Sequence, residues 1–409
     1  MKLSPKIRIL FLICLFASTN LHALAQREWV LYPIEEDGKF GYLDENGRIA
    51  IKPQFDDAKL FSEDLARVRV GKKWGFIDRT GKLVITPQFE LSSSEEANNC
   101  SLDFHEGMAA VSLNGGRKWG YIDLSGRIVV QPKYDYADRF AEGLAHVANT
   151  YSEKVGDETA VYMGGAAKYI DKQGNIISLP VIGDTFSEGL ATAGVSQERS
   201  PRERNSTDEP KIGYIDKKGR FRIQPRFWVP YQFSEGLARV RAGDRDEWGY
   251  IDRTGNLVIK MIYDGAGDFH EGLARVQLGT MGFVNKSGAL AIRPRFGVVG
   301  NFSGGLASAC VEDKTSGFHL KCGYIDKTGR WAIEPAFIFI LGDFKREFAW
   351  ACTQDKCGYI NRAGKFVWAV PMKPDGNEPG ITASPPAGCS IMSDDANRNY
   401  PCALQFKLF

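Results

Sequence analysis

Two sets of carboxylates recur along this 409-residue chain. Glu63, Glu106, Glu142, Glu188, Glu235 and Glu271 stand in a repeated element of the kind Phe233-Ser234-Glu235-Gly236, and Asp44, Asp78, Asp123, Asp171, Asp216, Asp252 and Asp326 each open an Asp-x-x-Gly turn. Paired carboxylates can cleave a glycosidic bond when one stays protonated while the other is ionised. Residues repeated six or seven times at one structural position do not supply that asymmetry, so turn capping and strand-entry hydrogen bonds are the expected roles. Calcium is a poor fit, because each Asp-x-x-Gly offers one side-chain oxygen where the ion takes about six to eight ligands. His105 and His270 replace Ser in the Phe-Ser-Glu-Gly element, and His146 and His319 are isolated in sequence. None has triad or metal-pair spacing. A phosphate-binding glycine loop and a nucleophile elbow are also missing from the sequence. The residues therefore predict no catalytic group, no metal ligand and no cofactor. Trp74, Trp119 and Trp248 are expected in the core, with stacking on sugars, peptides or quaternary ammonium groups as the functional alternative.

The elements that position these residues follow from one period. Gly-aromatic-Ile-Asp-x-x-Gly, or a close variant, begins at Gly41, Gly75, Gly120, Lys168, Gly213, Gly249, Gly282, Gly323 and Gly358. Within a period, Trp74-Gly75-Phe76-Ile77 reads as a strand, Asp78 to Gly81 as a tight turn, and Leu83-Val84-Ile85 as a second strand stopped by Pro87. Leu237 to Arg241, after the Glu-Gly element, reads as a third. Alternation has period 2 throughout and no amphipathic helix is visible. The expected fold is all-β: about eight three-stranded antiparallel units stacked as an open solenoid or superhelix. A closed propeller-like toroid is the alternative, less favoured because a propeller blade has four strands.

The strings Lys73-Trp74-Gly75-Phe76-Ile77-Asp78, Lys118-Trp119-Gly120-Tyr121-Ile122-Asp123 and Glu247-Trp248-Gly249-Tyr250-Ile251-Asp252 resemble the core of the bacterial WG (Trp-Gly) β-repeat family. With the Phe-x-Glu-Gly-Leu-Ala segments, the resemblance runs from about residue 28 to 370. It implies a repeat module of exported and effector-type proteins, and it brings no common activity and no catalytic residues. Ala167-Lys168 and Thr280-Met281 lack the Trp, and two late periods have Cys in its place.

Those cysteines are informative. Cys352 and Cys357 flank four residues; with Gln354-Asp355 as a two-residue turn they face each other in a non-hydrogen-bonded pair, within disulfide reach. Cys310 and Cys322 hold the same two repeat positions across a longer loop. Both pairs are predicted to be bridged, and Cys389 with Cys402 is predicted to close a loop in the tail. Cys100 is left unassigned. In other periods the same register sets Arg69 against Trp74, a cation–π pair. A four-Cys metal site lacks the Cys-x-x-Cys spacing it would need.

Lys2, Lys6 and Arg8, an apolar run from Ile9 to Ala17 and Ala23-Leu24-Ala25 have the order of a secretory signal, with cleavage expected after Ala25. The layout read from sequence is a signal peptide at 1–25, the β-repeat array at 26–370, a Pro/Gly-rich linker at 371–388 and a disulfide-closed tail at 389–409. The formal charge of +2 becomes −1 without the signal's three cations, so nucleic acid is not expected as a partner. Stable membrane insertion after cleavage is not expected either. The functional expectation is a secreted or periplasmic, non-catalytic binding or scaffold protein acting on protein or cell-envelope glycan partners. The alternative is a carbohydrate-binding protein for peptidoglycan or another polysaccharide, or an envelope glycan hydrolase with its site in the insertions at 90–102, 148–166 and 196–211.

Overall fold

The computed structural model describes residues 30–371 apart from 92–101, 114, 116–117, 156–157, 164–166, 195–210, 243–246, 314–319 and 341. The signal segment, Cys100, His319, most of the linker and the Cys389–Cys402 loop lie outside the described residues.

One repeat shows how the sequence builds the unit. Gly265–Ala266, Leu273–Leu278, Thr280–Asn285 and Leu290–Phe296 form a four-stranded antiparallel sheet in chain order. Glu271 and Gly272 turn the chain between its first two strands with φ of 53° and 86°. His270 and Leu273 exchange both backbone hydrogen bonds across them, as in a type I′ hairpin. Between the third and fourth strands, Asn285 Oδ1 accepts from the amides of Ser287 and Ala289, and Gly288 takes φ of 82°. The Asp turns repeat this geometry: Asp78 Oδ1 accepts from Thr80 and Lys82.

The glycine after the Trp position has a separate cause. At Gly75 an added Cβ would lie 2.5 Å from the Ile85 carbonyl oxygen and 2.7 Å from the Pro87 nitrogen, because the last strand bulges over it. The register slips between Trp74/Phe89 and Phe76/Ile85. Pro87 fits inside that bulge since it has no amide to satisfy. Trp-Gly and the later Ile-x-Pro are thus two halves of one close crossing.

Nine sheets of this kind, six with four strands and three with three, are present among the described residues. They are numbered here as blades: 1, Tyr32–Phe55; 2, Asp57–Phe89; 3, Met108–Tyr134; 4, Tyr136–Ile177; 5, Leu190–Phe227; 6, Val229–Tyr263; 7, Gly265–Phe296; 8, Val298–Phe337; 9, Phe339–Pro371. The insertion within blade 4 folds as an antiparallel hairpin, Thr150–Val155 on Glu158–Met163. Each blade packs the face of its last two strands on the next blade. Tyr250, Ile259 and Tyr263 of blade 6, for example, meet Ala274, Val276 and Val284 of blade 7. A buried tyrosine crosses most of these interfaces and donates to a main-chain carbonyl beyond, as Tyr121 to Asp138 (2.6 Å), Tyr214 to Tyr231 (2.7 Å) and Tyr250 to Gly267 (2.7 Å).

Blade 9 makes the same kind of interface with blade 1. Tyr32, Ile34 and Leu43 pack with Phe348, Trp350 and Tyr359, and the Tyr359 hydroxyl donates to the Pro33 carbonyl at 3.0 Å. The array therefore closes on itself as a nine-bladed toroid. The open solenoid expected from sequence is overturned, and so is the count of eight three-stranded units. The reason is the first strand of each blade. In blades 6 to 9 it has two residues, as Val229–Pro230 or Gly265–Ala266, and follows the preceding blade's last strand after a single residue. That is too short to show alternation, yet a strand of this length, also present in blade 4 as Tyr136–Ala137, gives five of the nine sheets a fourth strand; in blade 2 the first strand is the longer Asp57–Ser62.

Both described disulfides fall as the register predicts. Cys310 pairs with Cys322 and Cys352 with Cys357 in the strand ladder, each with Cα atoms 4.0 Å apart. Arg69 faces Trp74 in the equivalent register, its guanidinium 5.8 Å from the ring, and Arg67 adds a second cation at 4.8 Å. Reducing the Cys352–Cys357 bridge, which closes a short loop, is expected to cost about 2 kcal/mol on the chain-entropy account. Urea titration of the oxidised protein beside the double variant Cys352→Ser/Cys357→Ser reads this with Cys310–Cys322 left intact. An unchanged midpoint would mean the bridge adds nothing.

Candidate functional site

The recurring carboxylates are occupied by the architecture. Each glutamate of the hairpin turns sits in the left-handed region, with φ between 48° and 54° from Glu63 to Glu271, a conformation uncommon outside glycine. Its carboxylate reaches the turn of the following blade. Glu63 accepts from the amides of Glu106 (2.5 Å) and Gly107 (2.7 Å), and Glu106 from Glu142 (2.6 Å) and Gly143 (2.8 Å). The series continues through Glu142 to Gly189, Glu188 to Gly236, Glu235 to Gly272 and Glu271 to Gly305. Lys172, Lys217, Lys286 and Lys327 close on Glu106, Glu142, Glu235 and Glu271 at 2.9 to 3.3 Å. These turns are capped from the neighbouring blade, a refinement of the local capping expected from sequence.

The series reverses polarity at blade 9. Gly304 stands where the glutamate would be, and Arg346 alone of its turn has positive φ, 57°. Arg362 donates to the carbonyls of Gly304 (2.9 Å) and Arg346 (2.7 Å), so a cation on carbonyls replaces a carboxylate on amides. The Tyr32 hydroxyl from blade 1 donates to the Lys345 carbonyl and accepts from the Glu347 amide.

Electrostatics agree with a structural role. Burial works against ionising Glu142, but the Lys217 ammonium and the Gly189 amide outweigh it and hold its pKa below the usual range. Glu106, Glu235 and Glu271 are lowered in the same way. The Arg220 guanidinium, aided by the Arg220 and Lys218 amides, pulls Asp216 down to about 2. Native pKa values below the unfolded ones give stability that is present above the unfolded carboxylate range and lost as pH falls through the native values. The expected outcome is a urea midpoint flat above about pH 5 that falls progressively from about pH 4 toward pH 2. A midpoint that rose on acidification would contradict the capping role.

A further set of polar residues, some recurring (Asp103, Asp268 and Asp343 before the hairpin Phe) and some particular to one blade (Asp138, Asp184 and His146), converges elsewhere. Asp343 and, from the third blade, Asp103 act on Lys345 of the ninth; Asp268 of the seventh acts on Tyr214 of the fifth. Charges two and three blades apart interact only if the first strands and the turns beside them face the ring axis. Around that axis Arg239 meets Asp268 at 3.0 Å and Arg67 meets Asp103 at 3.4 Å. Thr185 donates to Asp138, and Thr192 to Asp184 at 2.7 Å. His146, isolated in sequence, stands in the field of both aspartates. Burial lowers its pKa, and Asp184 and Asp138 oppose the shift. Burial likewise lowers Lys345, to about 8, against Asp343 and Asp103. This collar can offer hydrogen bonds and charge to a bound molecule. Sequence reading missed it, and the available signal was that Asp138, Asp184 and His146 break the consensus while the strands around them keep it.

His105 and His270 hold the turn positions expected of them, each sharing a backbone pair with the residue three further on. Trp74 and Trp119 are buried, as expected of core residues, and Trp248 packs half-buried against the blade 6–7 core. Among the described residues no group of three His, Cys, Asp or Glu is placed to hold a metal ion, and no helix is long and apolar enough to cross a membrane.

Several solved structures align with much of the chain at low identity. A eukaryotic initiation factor aligns over 85% of each chain at 9% identity, with a TM-score of 0.44. Kluyveromyces lactis Hsv2p aligns over 71% of this chain and 93% of its own at 11% identity and a TM-score of 0.33. A catalytically inactive virginiamycin B lyase from Staphylococcus aureus, with quinupristin, aligns over 83% and 94% at 12% and 0.25. Likenesses this distant transfer no function. No curated relative matches the chain. The family model for the WG containing repeat matches residues 40–74, 74–94, 119–148, 212–245, 248–279, 281–314 and 323–357. That is more than half of the sequence, and its Trp-Gly crossings and Glu-Gly turns are the elements that build the ring: the chain belongs to the WG-repeat family.

Proposed function

We propose that this chain is an exported, non-catalytic binding or scaffold protein whose partners are proteins or cell-envelope glycans. The observation that carries the reading is the consumption of its repeated chemistry by the fold. The recurring Asp and Glu carboxylates accept backbone amides, which leaves recognition to the positions that vary between blades. Two disulfides in the strand ladders suit the oxidising side of a membrane. They support a secreted or periplasmic location, with the mature chain beginning at Gln26.

The test uses the full-length chain expressed with its own signal. The amino terminus is sequenced from the exported fraction, and the mature protein is incubated with purified peptidoglycan and with soluble envelope polysaccharides. Co-sedimentation or retention without release of reducing ends is the expected result. Release of reducing ends by the wild-type protein would overturn the non-catalytic reading in favour of a glycan hydrolase.

A further inference from the structure

Eight of the nine blades carry a chain segment along their inner edge, ahead of the hairpin that holds a phenylalanine. Backbone amides mark it even where it is too short to form a strand. Asp56 donates to the Arg69 carbonyl in blade 2, Glu90 to Ser112 in blade 3, Asp184 to Thr192 in blade 5 and Trp228 to Arg241 in blade 6, at 2.9 to 3.3 Å. Blade 1 differs. Its strand order begins at Tyr32–Glu36, the counterpart of Leu65–Val70 and Leu237–Arg241, and the described residues hold no hairpin ahead of it. Tyr32, in the place of an alanine, packs on Phe348 and Tyr359 and so fills the hairpin-phenylalanine pocket toward blade 9. The strand itself has no substitute among the described residues.

Blade 2 shows the consequence. Each hairpin normally lies on the phenylalanine of the next blade, as Ser187 Oγ donates to the Phe233 carbonyl at 2.8 Å and Ser234 Oγ to that of Phe269 at 2.7 Å. The hairpin phenylalanines of blades 3 to 9, from Phe104 to Phe344, are at most 3% exposed. Phe61, which follows blade 1, is only half-buried, and so is Leu60 beside it.

We infer that residues 400–409 supply the missing inner strand, so that blade 1 combines Tyr32–Phe55 with the tail. The order of the ring brings the tail there. In blades 2, 4 and 6 to 9 the preceding blade's last strand leads, after one residue, into the inner strand. Blade 9 ends its last strand at Pro371, and the blade that follows it is blade 1. The sequence agrees: Tyr400-Pro401-Cys402-Ala403-Leu404-Gln405-Phe406 has the aromatic-x-x-Ala-x-x-Phe spacing of Phe55 to Phe61, Tyr134 to Phe140 and Tyr263 to Phe269, which carry the inner strands of blades 2, 4 and 7. Residues 372–399 have no Phe, Tyr or Trp, and about 28 residues give ample reach.

The register follows from blade 2, where Asp57 faces Arg69 and Ala58 faces Val68. By the same count Cys402 faces Glu35 and Ala403 faces Ile34. Pro33 is no obstacle. At its position the other blades use a carbonyl, which accepts from Gly267 in the case of Arg275 (2.9 Å) and from Gly300 in the case of Ser308 (3.0 Å). Proline keeps that acceptor, and its second lone pair leaves room beside the Tyr359 hydroxyl.

The test uses the full chain carrying Glu35→Cys together with Cys100→Ser and Cys389→Ser, which leaves Cys402 as the available thiol. The same chain with Arg241→Cys in place of Glu35→Cys, at the equivalent position of blade 6, is the control. After oxidation, peptide mapping by mass spectrometry should find 35 joined to 402 in the monomer, and 241 not joined to 402. In a second measurement, a chain ended after Asn399 should exchange the amides of Leu31–Glu36 at least about 10-fold faster than the full chain, with Leu237–Arg241 unchanged. Free thiols at 35 and 402 in the folded monomer, or exchange unaltered by the truncation, would overturn the inference. A 35–402 link confined to dimers would overturn the assignment to the chain's own tail and give this edge to a second copy. Circular dichroism and the urea midpoint of each variant establish that the ring is intact.

Discussion

Gly75→Val is expected to destabilise the ring by about 3 kcal/mol, the upper end of what overpacking a close contact costs. The added Cβ would meet backbone atoms, the Ile85 carbonyl oxygen at 2.5 Å and the Pro87 nitrogen at 2.7 Å, so no side-chain rotation relieves it. Either the Trp74–Phe89 pairing or the bulge must give way, and with it the packing of Trp74 and Phe89 against blade 3. Gly107→Ala is the informative comparison. At that turn nothing lies within 4 Å of the added Cβ, and the cost is the positive φ of 79°, about 1–2 kcal/mol. Urea midpoints of the two variants should differ in that order. Equal losses would mean that the Trp-Gly glycine serves flexibility and not the crossing of two backbones.

Tyr32→Ala should cost about 3–5 kcal/mol, as large-to-small changes at buried aromatics do. The Tyr32 ring is buried against Phe348 and Tyr359, with centroids 4.8 and 5.5 Å apart, and its hydroxyl bonds the blade 9 turn. Tyr121→Ala removes a comparable buried tyrosine from the blade 3–4 interface, packed on Phe140 at 4.9 Å. Stability should fall similarly in both, yet the two losses differ in kind. Blades 3 and 4 remain joined by the chain, whereas blades 9 and 1 are held at this seam by side chains alone among the described residues. Small-angle scattering near the unfolding midpoint should therefore show a larger radius of gyration for Tyr32→Ala than for Tyr121→Ala. The milder Tyr359→Phe, which removes only the hydroxyl that meets Pro33, should cost about 1 kcal/mol.

Much of the unit was legible because its determinants are local. Asp78 to Gly81, Pro87 and the spacing of Cys352 from Cys357 each specify a turn, a strand end or a register within a few residues. The fourth strand was not, since Gly265–Ala266 carries two residues and no alternation. Closure was not: Tyr359 is the aromatic residue found at its position in every blade, and Tyr32, which stands opposite Leu43 where the other blades have alanine, finds its partners more than 300 residues further along the chain. The destination of Glu63 or Glu235 was hidden for a related reason. Their partners lie 37 to 44 residues further along the chain, and Glu is an unusual choice for a left-handed turn position. The axial collar was the least legible part: Asp138, Asp184 and His146 gain meaning only when consecutive blades are laid side by side.

The same comparison also shows why the repeat tolerates different fasteners. Cys310–Cys322, Cys352–Cys357 and Arg69 over Trp74 occupy one cross-strand position, where two side chains on neighbouring strands face each other. Covalent, cation–π and apolar pairs are interchangeable there because the ladder itself is set by the glycine crossing and the two turns.

Closure of the ring is the claim on which the rest depends, and a cross-link tests it directly. A Cβ added at Gly47 in blade 1 would lie 3.1 Å from Val367 Cβ in blade 9, close to the separation a disulfide requires. The variant Gly47→Cys/Val367→Cys is oxidised, digested and mapped by mass spectrometry beside each single variant. The closed toroid predicts a linked peptide joining positions 47 and 367 and a faster-migrating monomer on a non-reducing gel. Two free thiols at these positions in the folded, oxidised monomer would contradict it.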